Sequence, residues 1–233
     1  MSKKLTKNKK KYINKISYTK KYSLEEATVL IKEINFVKFN ASVDIAVRLG
    51  IDVRLPDQMI RGAVQLPHGI GKNVIVLALV NEEEELEAKE SGADYVGLGF
   101  IEKIKSGWID DIDVIIATPS VMNKLGAIGK ILGPKGLMPN PKMETVSTNV
   151  KKSIQDIKSG KIFFKADRYG IVHSSVGKIS FSSQNLLENI KEFMKKIIRS
   201  KPSSSKGLYI RSIYLSSTMS NCIPLDINYF IKQ

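Results

Sequence analysis

Charge divides this chain more sharply than any other property. From Gly69 to Ser159 there are 11 Lys or Arg against 13 Asp or Glu, a net of −2. The two ends, Met1 to His68 and Gly160 to Gln233, together carry 26 basic against 10 acidic residues, a net of +16. The termini of a compact domain commonly lie close together. A basic domain built from both ends, 1–68 and 160–233, with a near-neutral module of 69–159 inserted between them, accounts for this profile. An overall surplus of +14 in 233 residues implies a polyanionic partner, nucleic acid or an acidic membrane surface. No apolar run approaches the roughly 18 to 20 residues that a spanning helix needs, so nothing is expected to cross a bilayer.

The basic halves read as strands and amphipathic helices. Met1 to Lys21 holds nine lysines and no acid, either a solvated tail or an arm that folds onto phosphates. A secretory signal would need an apolar core after these charges, and none follows; a transit peptide stays open, although arginine is missing here. Ser23 and Glu26 form a capping box ahead of Leu24, Ala27, Leu30, Ile31 and Ile34, which share one helical face. Val43, Ile45, Val47 and Leu49 alternate with Ser42, Asp44, Ala46 and Arg48, so 42–49 is a strand with one apolar and one partly polar face. Phe39 before it is either core or a stacking platform for a base or ribose. Residues 61–66 suggest a second short strand closed by Pro67. Lys161 to Lys165 and Ile171 to Val176 read as a hairpin joined by "ADRYG". Ser183 opens a long helix with an apolar stripe that includes Leu186, Ile190, Phe193, Ile197 and Ile198. A last alternating strand, 208–215, leads into "SSTMS" at 216–220. There Ser216, Ser217, Thr218 and Ser220 gather hydroxyls around Met219, a set suited to phosphate and 2′-OH oxygens with an apolar contact beside them.

The middle segment alternates apolar runs with short helices: 74–80, 93–97 and 114–117 as strands, 82–91, 100–105 and 121–125 as helices, and a further helix over 146–157. That order predicts a parallel sheet with helices on its faces. "PHGIGK" at 67–72 is not a Walker loop, because Leu66 occupies the first glycine position and Asn73 replaces Ser or Thr. It reads as a hinge, with His68 an ordinary turn residue. "GLGFIE" at 97–102 has Glu102 where a dinucleotide fingerprint needs its third glycine. Asp110, Asp111 and Asp113 lack the glycine and final glutamate of a calcium loop. With only His68, His173 and Cys222 as softer donors, no metal or cofactor is expected. A lone cysteine cannot form an internal disulfide, and a reducing cytosol is its natural setting.

The stretch Gly129 to Lys142, "GKILGPKGLMPNPK", carries Gly133, Gly136, Pro134, Pro139 and Pro141 with Lys135, Met138 and Asn140 between them. Proline removes donors and glycine permits positive φ, which predicts a stiff irregular loop presenting positive charge.

The literal string is more specific than its physics. "GxxLGPKGLMPNPK" followed by "TVSTNV", together with "SVDIAVRLGID" at 42–52, "QMIRGAVQLPHGIGK" at 58–72 and "SSTMS", resembles the signature of the bacterial large-subunit ribosomal protein L-one family. The resemblance runs from about Lys20 to Met219. It implies an α/β fold in two domains: a discontinuous two-layer α/β domain formed by both ends, and an inserted Rossmann-like α/β/α domain with a parallel sheet. It implies a structural constituent of the ribosome that is monomeric within it and has no catalytic residue and no cofactor. The ligand it implies is a stem and junction of large-subunit (23S) rRNA at the mobile stalk. Release of deacylated exit-site tRNA and binding to the protein's own operon mRNA, repressing translation, also follow from the resemblance, in the cytoplasm and with no membrane partner. Carried across by position, the RNA contacts fall on Phe39, Ser42, Asp44, Arg168, His173, Ser217, Thr218, Met219 and Ser220. Ser220 stands where the family usually has glycine, and Ser42 where it often has threonine. The competing reading is an enzyme whose Rossmann-like module binds a nucleotide while the basic ends recruit RNA.

Overall fold

The computed structural model describes residues 15–17 and 19–231, so most of the expected basic arm over Met1 to Lys21 lies outside the described residues. In chain order the elements are α1 (Leu24–Ile34), β1 (Ser42–Leu49), β2 (Arg61–Gln65), β3 (Val76–Leu79), α2 (Glu82–Glu90), β4 (Tyr95–Val96), α3 (Phe100–Lys105) and β5 (Val114–Ala117). There follow α4 (Met122–Leu125), α5 (Gly129–Lys135), α6 (Val150–Lys158), β6 (Lys161–Lys165), β7 (Ile171–Lys178), α7 (Ser183–Arg199), β8 (Ile210–Ser217), β9 (Ile223–Pro224) and α8 (Asn228–Ile231). The chain divides into two compact units, one holding the described residues up to Gly71 and from Phe163 on, the other Lys72–Ile162.

The end unit is built on an antiparallel sheet in the order β7-β1-β8-β9. Alternation in β1 sends Val43, Ile45, Val47 and Leu49 to the buried face, where Ile213 and Leu215 of β8 lie beside them in register. Helices α1 and α7 supply the second layer and pack on each other. Helix α1 is capped at Ser23, whose Oγ accepts the Glu26 N–H at 3.2 Å, and α7 at Ser182, whose Oγ accepts the Asn185 N–H at 3.0 Å. Phe193 of α7 meets Phe164 of β6 edge to face, with centroids 5.7 Å apart.

Two expectations fail in this unit. The segments 161–165 and 171–176 do not form a hairpin. Strand β6 pairs with β2 in a separate two-stranded sheet, while β7 pairs with β1, and only an isolated bridge joins Ala166 to Val172. The turn between them is held by Asp167, whose Oδ1 accepts the N–H groups of Tyr169 and Ile171, both at 2.8 Å. That side chain shapes the reversal locally and leaves each strand free to find a distant partner. Ile198, assigned to the apolar stripe of α7, is 36% exposed.

The inserted unit carries a parallel sheet in the order β4-β3-β5. Strand β3 is buried along its whole length, as a central parallel strand must be when helical crossovers cover both faces. Asp94 and Asp113 anchor the start of β3: their Oδ2 atoms accept the N–H groups of Val76 (2.8 Å) and Ile75 (3.1 Å). Tyr95, Phe100 and Trp108 form an aromatic cluster with centroids 4.9 to 5.4 Å apart.

The proline-rich stretch is not the irregular loop its composition predicts. Gly129–Lys135 is helical through Gly133 and Pro134, with Leu132 fully buried as its anchor. Gly136, at φ 74°, stops it: its N–H bonds to the Gly133 carbonyl and that of Leu137 to Leu132, both at 3.1 Å. A proline late in so short a helix forfeits little, and burial of Leu132 decides the conformation. Irregular backbone begins only after Gly136. The helix expected from Val146 likewise starts later, at Val150, because Asn149 caps it and Val146 instead bridges Ala117 at the margin of the sheet.

Candidate nucleic-acid interface

The helices cover one face of the end unit's sheet and leave the other open. Register determines what stands on it. Asp44 of β1 lies opposite Ser175 of β7 and Ser216 of β8, Ala46 opposite His173 and Tyr214, and Ser42 opposite Lys178. Ala46, small and central, leaves a shallow hollow of about 460 Å³ lined by Asp44, His173, Ser174, Ser175 and Ser216. A hollow of this kind offers hydroxyls, a carboxylate and an imidazole at once, all able to meet sugar hydroxyls and base edges.

Charge on this face is finely placed. Lys178 Nζ donates to Ser42 Oγ at 2.8 Å. Burial raises the pKa of Asp44 above its ordinary value, and the Ser175 hydroxyl and the Lys178 ammonium only partly offset that push. His173 Nε2 lies 3.5 Å from Asp167 Oδ2. Burial would raise the pKa of Asp167, yet the N–H groups of Ile171 and Tyr169 and the nearby His173 hold it below the usual carboxylate value.

The end of β8 closes the face with a tight turn. The Ser220 N–H bonds to the Ser217 carbonyl at 2.9 Å, and Met219 between them has φ 68°, in the left-handed region. A methionine there is unusual, and its side chain is 74% exposed. The Thr218 N–H donates to the Ser42 carbonyl at 3.0 Å, and Thr218 Oγ1 accepts the Ser42 N–H at 3.2 Å, so the turn is tied to the start of β1. Ser220 needs no glycine-like backbone; its Oγ accepts the Ser217 N–H at 3.0 Å. Ser217 itself is buried, with an Oγ that has no hydrogen-bond partner. Phe39, just ahead of β1, is 54% exposed, which removes the core reading.

Of the predicted residues, Ser42, Asp44, His173, Thr218, Met219 and Ser220 therefore gather on or beside three neighbouring strands, whereas Ser217, opposite Val43, turns to the buried side of the sheet with Ile213 and Leu215 and is not offered to a ligand. Arg168 sits apart, lining a second depression of about 690 Å³ with Arg54, Met59 and Lys165. Sequence reasoning missed Ser175 and Lys178; period-two spacing from His173 is the signal that would have found Ser175. The Gly133 to Pro141 signature belongs to the inserted unit, where Lys135 is paired with Asp110 at 2.6 Å.

Residues 30–221 match the model of the ribosomal protein L1p/L10e family. Among curated relatives, "Large ribosomal subunit protein uL1" of Phocaeicola vulgatus is 58% identical and that of Bacteroides fragilis 57%, each over 96% of this chain and 96% of its own length. The protein of the same name from Flavobacterium psychrophilum is 55% identical over 96% of this chain and 97% of its own length. The chain belongs to the ribosomal protein L1p/L10e family.

Proposed function

We propose that this chain is a non-enzymatic constituent of the large subunit of the cytoplasmic ribosome and that its end unit, the rRNA-binding domain, grips 23S rRNA at the mobile stalk near the exit site. The observation that carries this reading is the open face of β7-β1-β8, with Ser42, Asp44, His173, Ser175 and Ser216 bordered by exposed Phe39 and Met219. Hydroxyls and a carboxylate answer 2′-OH groups, exposed Phe39 and Met219 answer base and ribose faces, and Lys178 at the margin of the face answers a phosphate. The printed name of the relatives supports the ribosomal setting. In this reading Arg168 contacts phosphate from the second depression, and the inserted unit projects the stalk toward deacylated exit-site tRNA and assists its release. The same face also takes a mimic of the rRNA site in the protein's own operon mRNA, repressing translation.

Filter binding to an rRNA stalk fragment tests the reading. If six to ten phosphates are contacted, affinity falls by about 10³ to 10⁵ between 50 and 200 mM salt. Salt-insensitive binding, or saturable nucleotide binding with turnover, overturns it.

A further inference from the structure

On the helical side of the end unit, away from the hydroxyl-bearing sheet face, α7, the start of β8 and α8 enclose a hollow of about 450 Å³. Its volume lies in the usual range for ligand-binding clefts. Ile198 and Leu208 form the accessible part of its wall, 36% and 62% exposed, while Tyr209 and Phe230 are buried at its base. Tyr209 is locked there by a hydrogen bond from its OH to the Ile197 carbonyl at 3.0 Å. Large aliphatic side chains held open to water over a rigid aromatic base mark a surface made to be covered.

Four cations rim this hollow: Lys191, Lys195, Arg199 and Lys201. The first three recur every fourth residue of α7, so they form a row repeating at about 6 Å over roughly 12 Å of helix. Lys195 is shared with Glu192 of its own helix at 2.6 Å, and Lys191 lies over the Tyr229 ring at 5.7 Å. Arg199 and Lys201 extend the positive rim beyond them. A small anionic amphiphile has one head group and cannot use a row of this length. A helix with acids at every fourth residue matches its spacing, and leucine-type side chains on the adjoining face match Ile198 and Leu208. RNA matches less well, because the accessible wall is aliphatic and both aromatic rings are buried below it.

We propose that this groove is a docking site for an acidic amphipathic helix of a partner protein, distinct from the face assigned to RNA. The probe is a fluorescein-labelled synthetic 15-residue helix with leucines at i, i+3, i+4 and i+7 and flanking glutamates, titrated with the full chain and followed by anisotropy. Saturable binding is expected, weakened at least tenfold by Arg199→Glu and by the double substitution Ile198→Ser with Leu208→Ser. Replacing the peptide's leucines with serine should abolish it, and Met219→Ala should leave it within twofold. All four substituted side chains are exposed to solvent, so the variants should fold, and circular dichroism would confirm it. No saturable binding, equal binding of the serine peptide, or a tenfold loss on Met219→Ala overturns the proposal. So does an Arg199→Glu variant that loses affinity for the rRNA stalk fragment while binding the peptide unchanged, which would make the groove an RNA contact.

Discussion

Both units combine helices with a sheet, but they differ in what those sheets leave uncovered. In the inserted unit the parallel strands require crossovers, the crossovers bring helices, and β3 ends up buried on both faces. In the end unit antiparallel pairing needs no such cover, and the outer face of β7-β1-β8 stays open. Charge reinforces the contrast. A helix N-terminus beside a parallel sheet is the natural anion site of such a fold, yet here α2 begins with Glu82, Glu83, Glu84 and Glu85. The helix that follows the central strand β3 thus opens with carboxylates where a phosphate would otherwise sit, an arrangement that opposes the nucleotide-binding reading at that strand end. Sheet type decides which surface a polyanion can reach, and the charge distribution follows the same division.

The largest expected effect tests whether the two units keep separate tasks. Phe193→Ala removes the ring that meets Phe164 and should destabilise the end unit by about 3–5 kcal/mol, with rRNA affinity lost at temperatures where that unit melts. Leu125→Ala, in the core of the insert, should cost about 2–5 kcal/mol by urea denaturation yet leave affinity within twofold while the protein is folded. A tenfold loss of affinity in folded Leu125→Ala would break the division.

Asn189 sharpens the comparison further, and nothing in the pattern of α7 advertised it. It is fully buried on a helix whose other buried positions are all apolar. Its Oδ1 accepts the His68 N–H at 3.1 Å, and its Nδ2 donates to the carbonyls of Gly69 (3.0 Å) and Val176 (2.8 Å). The segment leaving the end unit is thus pinned by one amide. Asn189→Ala should cost about 1–3 kcal/mol, because the backbone groups it serves lose their partners in a buried site. A smaller loss in urea denaturation would show that water replaces the amide.

What the sequence disclosed follows a physical line. Period-two alternation placed β1 correctly, the capping signal at Ser23 located α1, and the charge profile together with the strand-helix alternation indicated two α/β bodies. Features resting on distant partners were not legible. Whether 161–165 pairs with 171–178 or with 61–65 depends on residues a hundred positions away, and turn residues alone favoured the wrong neighbour. Pro134 was read by its local preference, while burial of Leu132 determined the outcome. The hydroxyls of the open face were visible singly in 216–220 and in 42–49, but only register brings Ser175 and Ser216 to either side of Asp44.

Smaller effects separate the candidate interface from the signature helix of the insert. Met219→Ala should weaken rRNA binding about tenfold, equivalent to about 1.4 kcal/mol, with the fold intact. Thr218→Ala should act in the same direction by releasing the turn from Ser42, whereas Lys135→Ala should change affinity less than twofold. The reverse order would move the site into the insert. Met219→Gly distinguishes contact from conformation: glycine removes a left-handed cost of about 1–2 kcal/mol, so stability should rise while affinity falls. If both rise, the methionine side chain contributes nothing to binding.

The finest contrast lies in the carboxylates. Asp44 on the open face has its pKa raised by burial, so the folded chain holds that proton more tightly than the unfolded chain. Its contribution therefore worsens as pH climbs from the ordinary value of 3.8 through the raised one. Asp94 in the insert behaves oppositely. Burial pushes its pKa up, but the Lys158 ammonium and the Val76 N–H outweigh that push and hold it below 3.8. Its stabilisation is present above 3.8 and is lost as pH falls through the depressed value. Urea midpoints should show Asp44→Asn above the parent protein at pH 7, with the gain shrinking as the medium is acidified toward 3.8. Asp94→Asn should sit below the parent at pH 7, and its deficit should disappear in acid. Equal signs for the two variants at pH 7 would mean that Lys178 and Ser175 outweigh burial at Asp44, and the open face would then carry a settled carboxylate instead of one held at a cost.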